Sequence, residues 1–278
     1  MNQKLTGKQY TLLASMLFGM FFGAGNLIFP IILGAKAGAS LVPALLGMLI
    51  TAVGMPLLGI VALGVSRSSG LMQMSGRVAK WYSYFFTCAL YLTIGPFFAI
   101  PRCAATSFTM GIAPLVSGSH TVPQAIFTTL FFAAVLFFAL RPNNIMNSIG
   151  KYLNPIFLIC LGILVVAALL DPIQSVGSVA ASGAYADNAF STGFLQGYDT
   201  LDALASLAFG IIVVNVIKEM GVEEPGAIAK NTIKSGVFSM VLMTVIYALI
   251  AIVGAQSYGL YADQLGGTYT PADRGWSR

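Results

Sequence analysis

Long apolar runs separated by short polar stretches are the feature of this sequence that most limits its fold. Only 8% of the 278 residues are charged, whereas roughly 25% of residues are charged in a soluble domain. Since crossing a bilayer takes about 20 mostly apolar residues, the runs predict an all-α polytopic membrane protein. We place about seven transmembrane helices at residues 9–35, 41–65, 81–110, 124–140, 152–170, 190–217 and 237–258.

The rest of the composition argues against several other classes of protein. Basic residues lie in short scattered clusters, which is a pattern of membrane topology rather than of a nucleic-acid-binding patch. The three cysteines form no CxxC motif, so neither a disulfide framework nor a metal site is indicated. We expect one transmembrane domain over residues 1–261 and an atypical tail over residues 262–278.

The distribution of Lys and Arg between the spans predicts their orientation, because cytoplasmic loops are enriched in basic residues. With the N-terminus in the cytoplasm, ten of the 14 basic residues fall on the inner side, and the reverse orientation would put the same ten outside. These residues are Lys4, Lys8, Arg67, Arg77, Lys80, Arg141, Lys151, Lys218, Lys230 and Lys234.

The first span contains residues that favour an interruption of its helix. Gly23, Gly25, Asn26 and Pro30 lie in the middle of the crossing, and glycine costs about 1 kcal/mol and proline about 3 kcal/mol in a helix interior. A break would free backbone N–H and C=O groups, which can bind a carboxylate and a cation. The alternative is a simple proline kink with glycines that pack against other helices, and the spacing leaves both open.

The sixth span contains Asp199, Thr200, Asp202 and Ser206 within an apolar stretch. A carboxylate inside a span is costly and is a functional candidate for that reason. The alternative is that both aspartates lie in the outer headgroup layer, where they cost little. We expect residues 208–217 to form the inner half of this broken helix.

The third span carries Pro96, Pro101 and Arg102, and we assign these residues, together with Pro30 of the first span, a structural or gating role. An arginine at this depth is expected to pair with a carboxylate or with backbone carbonyls, or to reach an interface. An ion pair with Asp202 or Asp199 and a direct contact with a substrate carboxylate both remain open. Tyr91 is a further pocket candidate in the same span.

Three motifs together resemble the bacterial branched-chain amino acid:cation symporters. They are the Gly-Ala-Gly-Asn run at 23–26 with the Phe-Pro that follows, the Gly-Pro-Phe-Phe-Ala-Ile-Pro-Arg run at 95–102, and the run from Gly197 to Gly210. Further matches occur at 141–144 and 151–155. The resemblance implies the leucine-transporter-type fold of the amino acid–polyamine–organocation superfamily, in which two inverted repeats of five helices place broken first and sixth helices around a central site.

The resemblance also implies a role for each candidate site residue. The backbone of Gly23, Ala24 and Gly25 would hold the amino acid's carboxylate and amine, while Asn26 and Asp202 would lie at a cation site. Thr200, Asp202, Ser206, Phe209 and Gly210 would line the opposite wall. This chain would contain the first repeat and the first two helices of the second, so it is expected to be C-terminally truncated.

The function implied is symport of Leu, Ile and Val with Na⁺ or H⁺ across the cytoplasmic (inner) membrane of a bacterium. No cofactor and no metal other than a coupling Na⁺ are expected. An inactive truncated remnant of such a transporter is the alternative. A membrane-embedded enzyme is disfavoured because the single histidine, His120, falls in a predicted loop, and a channel because no selectivity filter is recognisable.

Overall fold

The computed structural model describes residues 5–66, 68, 70–140, 154–172, 175–178 and 180–257, and all regular elements within them are helical. Two short π-helical turns lie at Ile50–Gly54 and at Thr93–Phe97. The α-helices are α1 Gly7–Phe21, α2 Ala24–Ala37, α3 Leu41–Leu49, α4 Met55–Ser66, α5 Leu71–Ser75, α6 Lys80–Leu92, α7 Ala99–Gly111, α8 Thr121–Ala139, α9 Asn154–Leu170, α10 Ala184–Tyr198, α11 Asp202–Glu219 and α12 Pro225–Gln256.

Five helical segments are long and apolar enough to cross a membrane, and α9 is a shorter apolar helix. The predicted all-helical membrane architecture is therefore confirmed for the described residues, whereas the count of seven crossings stays a prediction. The five segments are Ala24–Ser66, Lys80–Leu115, Thr121–Ala139, Ala184–Glu219 and Pro225–Gln256.

The first of these segments turns back on itself at Gly38. It has 43 residues, which at 1.5 Å per residue is about 65 Å, roughly twice the thickness of the hydrocarbon core. Gly38 has a φ of 49°, a left-handed value that glycine adopts without strain. The turn separates α2 from α3, as the predicted spans 9–35 and 41–65 require.

Helices α1 and α2 both run parallel to α12. Tyr10 bonds to Asn231 and Asn26 bonds to Tyr247, and both pairs are 221 residues apart. Near the end of α2, a methyl group on Gly34 would meet the backbone of Ala251. Small residues at such contacts let helices approach closely within a membrane.

The α3–α4 unit runs antiparallel to α12, since Ile60 lies against Gly236 and Gly64 lies against Ile233. The α10–α11 unit instead runs parallel to α3–α4. Near the start of that pair Ala44 packs on Gly193, and further along Leu63 packs on Gly210. The pair formed by α1–α2 and α12 therefore runs opposite to the pair formed by α3–α4 and α10–α11.

The core lies where α1–α4, α11 and α12 meet, and its largest fully buried side chains come from these helices. The outer helices differ, because α8 has no buried residue and α6, α8 and α9 expose many large apolar side chains. A polar solvent would penalise such a surface, whereas lipid does not. The largest fully buried side chains are Tyr247, Phe18, Leu13, Leu17, Leu33, Met48, Ile60, Leu63, Ile217, Met243 and Val213.

One end of the helix bundle gathers basic residues from distant parts of the sequence. The Lys234 ammonium lies 4.3 Å from the centroid of the Tyr10 ring, and Lys218 lines a cavity of about 280 Å³ at the ends of α4 and α11. Arg77 bonds to the Ser66 carbonyl close by. That this end faces the cytoplasm stays a prediction.

Candidate functional site

The first span is interrupted at Phe22 and Gly23. Helix α1 ends at Phe21, and Gly23 is extended, with φ −111° and ψ −172°. Asn26 makes two hydrogen bonds across the interruption. Its side-chain oxygen accepts the Gly23 N–H at 3.0 Å, and its backbone N–H donates to the Gly23 carbonyl at 3.1 Å. The interpretation as a simple proline kink is therefore wrong.

The start of α2 offers backbone groups without partners inside the helix. Ala24 and Gly25 occupy its first positions, where N–H groups have no intrahelical acceptor and the helix dipole is positive. Pro30 lies within α2 and has no N–H, so it removes the donor that the Asn26 carbonyl would otherwise use. The segment therefore presents both donors and an acceptor.

The second interruption lies between α10 and α11. Leu201 adopts a left-handed conformation with φ 65° and ψ 11°, which is rare for a residue with a branched side chain. The predicted inner half-helix over residues 208–217 is too short, because α11 already begins at Asp202. Asp202 thus lies in the first turn of a helix, where a negative charge is stabilised.

A buried group of three side chains joins the two interruptions to α12. The Asp202 carboxylate accepts from the Asn26 amide at 2.6 Å and from the Tyr247 hydroxyl at 3.0 Å. The amide also donates to the Tyr247 hydroxyl. Asn26 and Asp202 are 2% exposed and Tyr247 is 0% exposed, so the Asp202 carboxylate is buried inside the protein. Asp199, in contrast, is exposed.

Arg102 connects the third span to both interruptions. Its guanidinium donates to the Asp199 carbonyl at 2.6 Å and to the Thr200 carbonyl at 3.5 Å, and it lies 5.5 Å from the centroid of the Phe29 ring. Among the described residues these carbonyls, rather than the two carboxylates, are its hydrogen-bond partners. A methyl group on Gly25 would lie 3.4 Å from the same guanidinium.

The bend in the third span explains how Arg102 reaches this position. Pro96 lies in the π-helical turn, where Gly95 has a non-helical backbone with ψ −112°, and Pro101 lies in the first turn of α7. Proline is tolerated in a first turn because its missing N–H has no intrahelical acceptor there. Tyr91, before the bend, is 48% exposed.

The remaining predicted wall residues lie around α11. Thr200 is 5% exposed and donates to the Gly197 carbonyl at 2.9 Å. Ser206 and Gly210 face α4, since each is in close contact with it, and the Phe209 ring lies 6.4 Å from the Phe21 ring of α1. Their roles in substrate binding stay predictions.

Tyr247 is the central residue that the sequence did not single out. A tyrosine within an apolar span needs a partner for its hydroxyl when it is buried, and this is the only local signal it carries. Its partners are 221 and 45 residues away. Its place in the group follows from how α12 packs on α2, which the sequence pattern does not contain.

Oxygen atoms are the groups that this site offers to a cation. The Asp202 carboxylate, the Thr200 hydroxyl and carbonyls at the interruptions are hard ligands of the kind that hard cations prefer. Within the described part of the chain, groups of three or more His, Cys, Asp or Glu side chains that could hold a metal ion are absent.

The profile of a family described as branched-chain amino acid transport proteins matches residues 6–270. The chain belongs to this family. It is 53% identical over 259 residues to the branched-chain amino acid permease BrnQ of Lactobacillus delbrueckii subsp. lactis, an alignment covering 92% of this chain and 58% of the relative. The BrnQ permease of Bacillus subtilis is 42% identical, with the same two shares.

A putative branched-chain amino acid carrier protein of Staphylococcus epidermidis is 40% identical over 86% of this chain and 54% of the relative. The family member described here therefore spans a little over half the length of these relatives. The relatives are named as permeases and carriers rather than as enzymes, and the chain is a multi-pass membrane protein of the same family. No solved structure matches it.

Proposed function

We propose that this chain takes part in secondary active symport of leucine, isoleucine and valine with Na⁺ or H⁺ across the cytoplasmic (inner) membrane of a bacterium, with its N-terminus in the cytoplasm. The observation that supports this most is the meeting of two helix interruptions at the buried Asp202 carboxylate. The names of the relatives supply the substrate class.

The interruptions provide complementary groups for an amino acid. The free N–H groups at Ala24 and Gly25 suit a substrate carboxylate, because a helix N-terminus attracts anions. Arg102 adds positive charge beside Gly25, while carbonyls of the second interruption suit an amine. One methylene in an apolar pocket is worth only about 1–3 kcal/mol, so the three aliphatic substrates should compete for one site.

The coupling cation would bind through Asn26 and Asp202. In the structure the Asn26 amide and the Tyr247 hydroxyl occupy the Asp202 carboxylate. A cation that replaces one of these donors would neutralise the same charge, and would thereby loosen the contact between α2, α11 and α12. This exchange links cation binding to a change in helix packing, which is what symport requires.

The packing of the helices supports the proposed leucine-transporter-type arrangement. In that fold the first two helices of one repeat are related to the first two of the other by inversion. Here the α1–α2 unit pairs with α12 and the α10–α11 unit pairs with α3–α4, each in parallel. If the interrupted unit α1–α2 is exchanged with the interrupted unit α10–α11, and the partner α12 with the partner α3–α4, the same two pairs result. The two pairs run in opposite directions along the bundle.

Leucine uptake tests the proposed function. Radiolabelled leucine would be supplied to transport-deficient bacterial cells that produce this chain, with a sodium gradient, a pH gradient or neither. Uptake above that of cells lacking the chain, driven by one of the gradients, supports symport and identifies the cation. Absence of uptake in both gradients, from protein shown to be in the membrane, contradicts it and favours the inactive remnant.

The same assay tests the site with a matched pair of variants. Asp202→Asn keeps the shape of the side chain but removes its charge, and uptake should fall about tenfold or more because interactions with a charged group are worth about 1.5–3 kcal/mol. Asp187→Asn changes an exposed carboxylate in α10 and should leave uptake unchanged. Equal uptake by both variants would contradict the assignment of Asp202.

A further inference from the structure

A row of polar side chains runs along one face of α12. Asn231, Ser235 and Ser239 are spaced four residues apart, so they lie on the same face of the helix. Two more steps of four lead through Met243 to Tyr247. Their exposed fractions are 4%, 1%, 0%, 0% and 0%, respectively. Because each step of four residues turns about 40° around the helix axis, this buried row winds around α12 from Asn231 toward the Tyr247 hydroxyl that contacts Asp202.

Three polar atoms of this row are buried without hydrogen-bond partners. Within the described part of the chain, the Asn231 amide nitrogen and the Ser235 and Ser239 hydroxyls have none. Burying a polar group without a partner costs free energy, and three such groups in one row repeat that cost. Buried polar groups in this situation are commonly satisfied by internal water molecules.

The start of the row lies at the seam between α1 and α12, where a cavity opens. Tyr10 of α1 bonds to Asn231, and Asn26 of α2 bonds to Tyr247. A cavity of about 260 Å³ in this seam is lined by Tyr10, Ala14 and Ser235, among others. Ser239 lies one turn above Ser235 and two turns below Tyr247, about 12 Å along the axis.

The side chain of Lys234 lies at the mouth of the seam. The Lys234 ammonium lies over the Tyr10 ring, 4.3 Å from its centroid, and both residues line the cavity. The face of an aromatic ring attracts cations. A second cation-stabilising group, the Asp202 carboxylate, lies beyond the far end of the row.

We infer that water molecules fill the α1–α12 seam along Asn231, Ser235 and Ser239, and that this path connects Asp202 with the end of the bundle that carries Lys234. A small hydrated monovalent cation would enter or leave the Asp202 site by this path. The assignment of a cation rests on the function proposed above, whereas the hydration of the seam does not.

Hydroxyl-radical footprinting of the unsubstituted protein tests the water directly. Radicals produced by radiolysis oxidise side chains next to water, including buried water. Met243, on the row, and Met48, in α3, are both 0% exposed, which makes Met48 a matched control. Met243 should be oxidised several-fold faster than Met48. Equal protection of the two methionines would overturn the inference.

Silver-ion reactivity of single cysteines tests access by a cation. In a chain with Cys88, Cys103 and Cys160 replaced by alanine, Ser235→Cys and Ser239→Cys would be exposed to Ag⁺, a monovalent cation that binds thiolates. Met240→Cys, at a 2% exposed position next to the row, is the control. Protection from later alkylation is read by mass spectrometry of the denatured chain.

Both row cysteines should react several-fold faster than the control, and Ser235→Cys, nearer the cavity, faster than Ser239→Cys. Rates equal to that of Met240→Cys would overturn the path. Repeating the reaction in sodium and in choline separates the sources of the cation: slowing by sodium assigns the path to Na⁺, and an unchanged rate assigns it to water and protons. Neither experiment needs leucine transport, so failure of the proposed function would be distinguishable.

Discussion

At the scale of single residues, the site depends on one charge and the groups that satisfy it. Asp202 is 2% exposed, and a buried carboxylate is tolerated only when it is well hydrogen-bonded. Asn26 donates to it and also accepts the Gly23 N–H. The same amide therefore holds the first interruption in shape and joins it to the second.

Replacing Asn26 tests this double role. Asn26→Ala should lower the free energy of unfolding in mixed micelles by about 3 kcal/mol, since it leaves a buried charge and a backbone N–H with fewer partners. Asn215→Ala, at an exposed position of α11, should change it by less than about 0.5 kcal/mol. Equal small effects of both variants would show that the amide contributes no stability.

The sequence was sufficient to single out Asn26 and Asp202 as candidates, but not Tyr247. An amide and a carboxylate within apolar spans stand out, because each is costly in lipid without a partner. Tyrosine is an ordinary residue of spans and interfaces, so nothing local distinguishes Tyr247 from Tyr91. Only the packing of α12 on α2 distinguishes the two tyrosines. Tyr247 is 0% exposed, whereas Tyr91 is 48% exposed.

At the scale of helices, glycines set the distance between packed elements. Gly254 of α12 packs directly on the backbone of Ile31 in α2, and Gly193 of α10 on that of Ala44 in α3. A side chain at these positions would push the helices apart. The two interruptions lie on neighbouring helices of this assembly, so their separation depends on these contacts.

A pair of glycine substitutions tests the close approach. Gly254→Ala should destabilise the protein by about 1–3 kcal/mol, because the added methyl group overpacks against backbone that cannot move aside locally. Gly162→Ala, in α9, has nothing within 4 Å of the added methyl group and should be neutral or stabilising by up to about 1 kcal/mol. Thermal unfolding in detergent compares them, and a neutral Gly254→Ala would contradict the packing.

Arg102 makes a prediction for the second interruption. Arg102→Gln removes the charge and most of the donors that hold the Asp199 and Thr200 carbonyls, so the turn before α11 should loosen. Amide hydrogen exchange over residues 199–205 should become several-fold faster, since local opening governs exchange. Arg77→Gln, at an exposed position elsewhere, is the control; identical exchange in both variants would exclude this role.

The helix interruptions could be predicted from the sequence better than their boundaries. Glycine, proline and polar residues within apolar runs indicate where a helix breaks. The start of α11 was placed too late because Leu201, the residue in the left-handed conformation, has no local tendency to adopt it. Arg102 and the surrounding helices stabilise that turn, and such tertiary contacts are not visible in a sequence pattern.

At the scale of the whole molecule, the register between distant helices organises the structure. The separation of 221 residues that joins Tyr10 to Asn231 and Asn26 to Tyr247 fixes the α1–α2 unit against α12 along its length. Long apolar runs predicted that these segments are membrane helices, but the outward and inward faces of such helices are similarly apolar in lipid. The resemblance implied only that the broken first and sixth helices surround a central site, so the pairing of α2 with α12 and of α3–α4 with α10–α11 is a finding of the structure.

Labelling from one side of the membrane tests the predicted orientation. Single cysteines would replace the exposed Lys218, at the basic end, and the exposed Ser119, between α7 and α8, in a chain with its native cysteines removed. A membrane-impermeant maleimide should label Ser119→Cys in intact cells and Lys218→Cys only after permeabilisation, because basic residues favour the cytoplasm. The opposite pattern would reverse the orientation.

The most direct test of the central claim is hydrogen exchange of the purified protein with and without leucine in a sodium-containing buffer. If the two interruptions form the binding site, leucine should slow exchange of the amides in residues 22–26 and 199–202 together, while the exposed helix α8 stays unchanged. Protection that is absent from both segments, or confined to other helices, would contradict the claim that the interrupted helices bind the substrate.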